Sequence, residues 1–244
     1  MNLTEKTRLI QQWAGVNADG AYGPATADAI MVKAGIERAA KPFDRQTFLR
    51  RHINLKAAAI TPLDIDRAAL LLRVTPAHIR AVMTVESRGG GFDPKGRPTI
   101  LFEPHVFHRR TNGQFSPSPY SYAKWRDRPY PTTMDGRWSQ MADAASMDEA
   151  AALESASWGL FQIMGFHWKA LGYESAQAFS AAMTASEGNH LDALVRFIKA
   201  NALADELGAC KPGNAESCRA FAAGYNGSGY AANGYHTKLA AALK

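Results

Sequence analysis

The chain has 244 residues, a formal net charge of +6, 46% hydrophobic and 20% charged residues, the balance of a globular protein able to bury a core in one or two domains. It has no apolar run of about 18 residues, so no transmembrane helix is indicated. Residues 1–60 carry nine Lys/Arg against five Asp/Glu, residues 61–138 twelve against seven, and residues 139–244 seven against ten, so the basic N-terminal and central surface favours a polyanion without naming which one.

Met1 to Arg8 lacks the apolar core of a signal peptide, and the expectation is a protein held in the cytoplasm until something releases it. Cys210 and Cys218 fit no ligand spacing. They read as free thiols, with a bridge across the Lys211-Pro-Gly-Asn214 loop as the alternative.

Residues 4–14 read as a first helix, and Gly15 to Pro24 is dense in turn formers. Pro24 opens a second helix to about Ala34, and a third spans Asp44 to Asn54. The expected boundary lies near residue 60, giving domains 1–60 and 61–244. Asp19-Gly-Ala-Tyr-Gly-Pro24 with Thr26, Ala29 and Ile30 resembles the signature of the small three-helix peptidoglycan-binding module. The resemblance implies wall binding through Asp19 and Tyr22. On the residues alone, Tyr22 is either a flat face for a sugar or stem peptide or a core residue of the turn.

Leu63–Val74 and Pro76–Ser87 read as a helix pair joined at Thr75-Pro76. In the second helix, Ile79, Val82 and Met83 form an apolar stripe whose next position is Glu86. A carboxyl there loses hydration, its pKa rises, and it becomes a proton donor near neutral pH. The alternative is a helix-end glutamate that bends to solvent. Gly89, Gly90 and Gly91 then free the backbone to turn. Residues 91–103 read as a small hairpin whose second arm delivers Glu103. Two carboxylates facing one cleft are what glycosidic hydrolysis requires; the alternative pairs Glu103 with Arg97 or Arg109. Residues 112–139 read as a surface excursion. Helices are expected at 148–155, 161–171, 175–183, 187–207, 215–223 and 235–243, the last either an ordinary terminal helix or a basic amphipathic end.

Val85-Glu-Ser-Arg-Gly-Gly-Gly-Phe92, Gly96-Arg-Pro-Thr-Ile-Leu-Phe-Glu-Pro-His-Val-Phe107, Ala156-Ser-Trp-Gly-Leu-Phe-Gln-Ile-Met-Gly165 and Ala223-Gly-Tyr-Asn-Gly227 resemble, in order, the N-acetylmuramidase domain of endolysins from phages of Gram-negative bacteria. The resemblance implies a mainly α fold: a three-helix N-terminal module, then a helical lysozyme-like domain with a short β-hairpin. It implies cleavage of the peptidoglycan glycan, with Glu86 as general acid, Glu103 as second carboxylate, and Gln162, Tyr225 and Asn226 lining the sugar cleft. The alternative in the same superfamily is a lytic transglycosylase working through Glu86 alone. A non-catalytic wall adaptor is a third reading. His105 and His108 stand at i and i+3 without a third ligand, so no metal and no cofactor are expected. The expected partner is peptidoglycan, with no nucleic acid, no stable membrane association and a monomeric state. The implied location is the host cytoplasm, with passage to the periplasm at lysis through a holin.

Overall fold

The computed structural model describes residues 1–21, 24–34, 43–86, 90–125 and 130–244, without the side chains of residues 24, 25, 28, 31 and 228. The chain divides into two units, Met1–Phe43 and Asp44–Lys244.

In the smaller unit, α1 (Leu3–Ala14) opens with a capping box between Asn2 and Glu5 and ends at Gly15 in the left-handed region (φ 79°). Helix α2 (Pro24–Lys33) starts at its proline. The loop between them is held by the buried Gln11. Its Nε2 donates to Asp19 Oδ1 at 2.7 Å, to the Ala21 carbonyl at 2.9 Å and to Thr26 Oγ1 at 2.9 Å, while its Oε1 accepts from the Gly20 amide at 2.8 Å.

The third helix expected for that module, α3 (Arg45–Arg50), falls in the larger unit, so the division comes after Phe43 and not near residue 60. Long-range partners decide this. Arg45 Nε pairs with Asp143 at 3.0 Å, Arg51 pairs with Glu149 at 2.8 Å, and Phe48 is buried. His52 packs against Trp138 and Trp158, with ring centroids 5.1 and 5.7 Å away.

The expected helix pair is present as α4 (Pro62–Leu72) and α5 (Pro76–Glu86), bent by 110° at their junction. Thr61 and Asp64 form a capping box at the start of α4. Among the described residues no single helix is long and apolar enough to cross a membrane. Ile79, Ala81 and Val82 of α5 are fully buried.

The hairpin forms elsewhere than expected. Phe92 and Pro98 make only an isolated bridge, and β1 (Ile100–Phe102) pairs with β2 (Ala156–Trp158), Ile100 opposite Trp158 and Phe102 opposite Ala156. Strand β2 then pairs with β3 (Ile163–Met164), completing a three-stranded antiparallel sheet. A helix was expected from Phe161. Instead Gly159 (φ 67°) and Gln162 (φ 49°) take left-handed conformations that turn the chain into β3 and a 3-10 turn at Gly165–His167.

Helix α6 (Pro104–Arg110) follows β1. Helix α7 (Met134–Ala145) starts inside the stretch expected to be an excursion, and buries Trp138, Met141, Ala142 and Ala145 at i, i+3, i+4 and i+7. The remainder comprises α8 (Glu149–Glu154), α9 (Ala176–Ala185), α10 (Glu187–Ala200), α11 (Ala204–Gly208), α12 (Arg219–Asn226) and α13 (Tyr235–Ala242). The single helix expected over 187–207 breaks at Ala202, whose φ is 52°. Helix α13 packs on α5 and buries Tyr235, Leu239 and Ala240, so this terminal segment is part of the core. The mainly helical architecture agrees with the expected fold class.

Candidate active site

Glu86 is the last residue of α5. Its half-buried side chain stands where three cavities of ≈ 410, ≈ 290 and ≈ 240 Å³ meet, each of which Gln162 also lines. The first is walled by Asn226, Asn233, Tyr235 and Lys238. His167, Phe197 and Tyr225 wall the second. The third runs along Gly90, Thr99, Arg137 and Gly159. The fold thus gathers Glu86, Gln162, Tyr225 and Asn226 from α5, the β2–β3 turn and α12.

Two tyrosines flank the acid. Tyr225 and Tyr235 stack with ring centroids 5.8 Å apart, and Tyr225 also stacks on Phe221 at 5.5 Å. Burial holds both phenols well above their ordinary pKa, and the nearby Glu86 carboxylate adds to it. Both hydroxyls therefore stay neutral and keep a proton to donate. Tyr235 Oη is buried and faces the Glu86 carboxylate, with which it interacts.

Gln162 is held by its own neighbours. Its Oε1 accepts from Ser157 Oγ at 2.8 Å, and its Nε2 donates to the Gly159 carbonyl at 2.7 Å and more weakly to Thr99 at 3.3 Å. Those bonds fix the left-handed turn beside the acid. Behind it, buried His190 serves both glycine segments of the cleft. A Cβ on Gly91 would lie 2.6 Å from its ring and one on Gly159 2.7 Å, so only glycine fits either position. Glu187 accepts the Gly91 amide at 2.8 Å.

Glu103 occupies the N-cap position of α6, just after β1, and its side chain makes no capping bond. Its carboxylate accepts from the Tyr130 hydroxyl and lies 3.3 Å from His105 Nδ1, whose imidazole burial keeps toward the neutral form. Burial raises its pKa, partly offset by Tyr130 and Arg109. It lines none of the three cavities that Glu86 lines. Thr99 does line one, and Glu103 lies four residues further along, roughly 13 Å of extended chain. Arg97, the alternative partner, pairs instead with Asp93 and Asp135, at 2.5 and 2.6 Å.

In the smaller unit Asp19 is exposed. The Ala21 amide and then Gln11 hold its carboxyl below the usual range, so it staples the loop. Tyr22 lies outside the described residues. Cys210 and Cys218 are both buried free thiols. His108 bonds Ser116 at 2.6 Å, and among the described residues no three His, Cys, Asp or Glu side chains cluster as metal ligands.

Sequence reasoning missed Thr99, Arg137, Asn233, Tyr235 and Lys238 as cleft residues. Lys238 and Tyr235 stand three apart on α13, a spacing that puts both on one helix face, but nothing local says that the face meets α5.

A half-buried carboxylic acid at a helix end, with tyrosine hydroxyls on one side and a small antiparallel sheet on the other, defines a lysozyme-like glycoside hydrolase. The model of the N-acetylmuramidase family matches residues 75–244, and the chain belongs to that family. Its structure is similar to the crystal structure of the Burkholderia AP3 phage endolysin. Sequence identity is 35%, 99% of this chain and 83% of the other are covered, and the TM-score is 0.67. The comparison with curated proteins gives no match.

Proposed function

We propose that this muramidase is an endolysin that hydrolyses the β-1,4 bond between N-acetylmuramic acid and N-acetylglucosamine in peptidoglycan, with Glu86 as general acid. The supporting observation is the position of Glu86 at the junction of three cavities, beside two neutral tyrosines. Protonated Glu86 donates its proton to the glycosidic oxygen, the bond from that oxygen to the anomeric carbon breaks, and water adds to the carbon to leave a reducing end, its released proton restoring the Glu86 acid. Tyr225, Asn226 and the Gln162 turn shape the walls that hold the sugars. The Met1–Phe43 unit keeps the enzyme on the wall through the Asp19 loop. The protein acts as a monomer, made in the host cytoplasm and passed to the periplasm through a holin at lysis.

A second reading has a specific observation behind it. Glu103 is engaged with Tyr130 and His105 and lines no cavity with Glu86, whereas two-carboxylate hydrolysis uses spacings of about 5–9.5 Å. A lytic transglycosylase dispenses with the second carboxylate, because the C6 hydroxyl of the muramic acid attacks the anomeric carbon in place of water. Mass spectrometry of fragments from purified peptidoglycan, with and without borohydride reduction, separates the two. Reducible muramic ends support hydrolysis, and 1,6-anhydro ends overturn it.

A further inference from the structure

Beside the cleft lies a second depression of ≈ 630 Å³ between the end of α5 and the end of α13. It shares Val85 and Lys238 with the largest of the Glu86 cavities, so the two are continuous. Val85, Ala241 and Ala242 give it an apolar side, Thr84, Lys238 and Lys244 also line it, and no acidic side chain does. Lys238 is exposed, and its Nζ donates to the Asn233 carbonyl at 2.7 Å, which holds the ammonium at the junction. An ammonium has three donors, so two remain for a ligand.

A glycan in the cleft brings more than sugars to this spot. Each muramic acid carries a peptide on its lactyl group, with small aliphatic side chains and free carboxylates. An apolar side with two lysines beside it complements such a chain in both respects. We infer that the Lys238–Lys244 groove beside the Glu86 cleft binds a carboxylate-bearing stem peptide of the glycan being cut. The inference rests on the muramidase reading and adds a part of the substrate to it. Lys238 joins sugar cleft and stem groove, so binding a charged stem helps to draw the scissile bond toward Glu86.

The test uses the full chain and soluble peptidoglycan strands in two forms, one with stem carboxylates free and one with them capped as methylamides. The readout is the ratio of kcat/KM on the two forms, followed by release of reducing ends. We expect the wild type to prefer free carboxylates about tenfold, the scale of one charge-assisted hydrogen bond. Lys238→Gln should cut that preference severalfold, and Lys238→Gln with Lys244→Gln should bring it near unity. Lys244→Gln alone alters only an exposed residue and keeps the test valid if the double variant folds poorly. A preference that is absent in the wild type, or the same in every variant, overturns the inference and leaves the muramidase reading intact. A wild type that cleaves neither form overturns both.

Discussion

The backbone amide of Leu160 donates to Nδ1 of the buried His190 at 3.1 Å, while Nε2 of the same ring donates to the Met183 carbonyl at 2.6 Å. The two partners fix one neutral tautomer, and burial lowers the pKa of the ring, favouring that form. His190 also stacks on Phe92, centroids 5.0 Å apart. It therefore connects the segment after Glu86 to the turn that carries Gln162.

His190→Phe keeps the ring stack but orphans the buried Met183 carbonyl, at about 1–3 kcal/mol, and the part-buried Leu160 amide, at less. The expected result is a lower Tm and a kcat reduced more than KM is raised. His190→Gln can accept from Leu160 and donate to Met183, and should recover most of the activity. Equal losses in both variants would mean that ring volume, and not hydrogen bonding, holds the turn.

Glu86→Gln keeps the shape of the cleft and removes the transferable proton. Activity on purified peptidoglycan should fall by roughly 10²–10⁴-fold, the range for a lost general acid. Thermal stability should stay near that of the wild type. Full activity in this variant would remove Glu86 from the chemistry.

Glu103→Gln tests the second carboxylate. Burial raises the Glu103 pKa, so the fold favours its protonated form, and ionisation works against folding as pH rises through the raised value. The variant should match or exceed the wild-type Tm at pH 7, and the difference should shrink as pH falls into the ordinary carboxylate range. Activity near that of the wild type would leave Glu103 a structural role as the partner of Tyr130. A loss like that of Glu86→Gln would assign it to catalysis.

His52 governs an acid limit. Burial among Phe48, Trp138 and Trp158 pushes its pKa down to about 4. Between the unfolded value near 6.5 and about 4, the unfolded chain takes up a proton that the fold refuses, so stability is present above pH 6.5 and is lost on the way down. The loss from this group is on the order of 3 kcal/mol. Urea unfolding of the wild type and His52→Asn at pH 7 and pH 4.5 should show a steeper acid loss in the wild type. Parallel losses would contradict the assignment.

Much of the site was legible because local rules coincide there. Ile79, Val82 and Met83 mark a helical stripe, Glu86 breaks its apolar character, and glycines follow. That pattern marks Glu86 as a candidate from the chain alone. The helix pair α4–α5 was legible for a similar reason, since Thr61-Pro62 and Thr75-Pro76 each start a helix through backbone chemistry alone.

What the sequence could not settle depends on distant partners. Phe161 to Leu171 looks helical by composition, but the turn at Gly159–Gln162 is held by Ser157, Thr99 and His190, and those contacts outweigh local propensity. Asp44 to Asn54 suits a small module equally well; ion pairs from Arg45 and Arg51 to Asp143 and Glu149 bind it to the larger unit. The sequence by itself determined the helical class and the place of Glu86 at the end of an apolar stripe, because these follow from periodicity and backbone chemistry, while the order of the motifs carried the family resemblance. Only the tertiary structure decided that the Glu103 carboxylate meets the Tyr130 hydroxyl and lines none of the three cavities at Glu86, and that Tyr235 and Lys238 line a cavity with Glu86. Strand pairing and helix packing join residues far apart in the chain, and their contacts are set by complementary shape and charge that no local window contains.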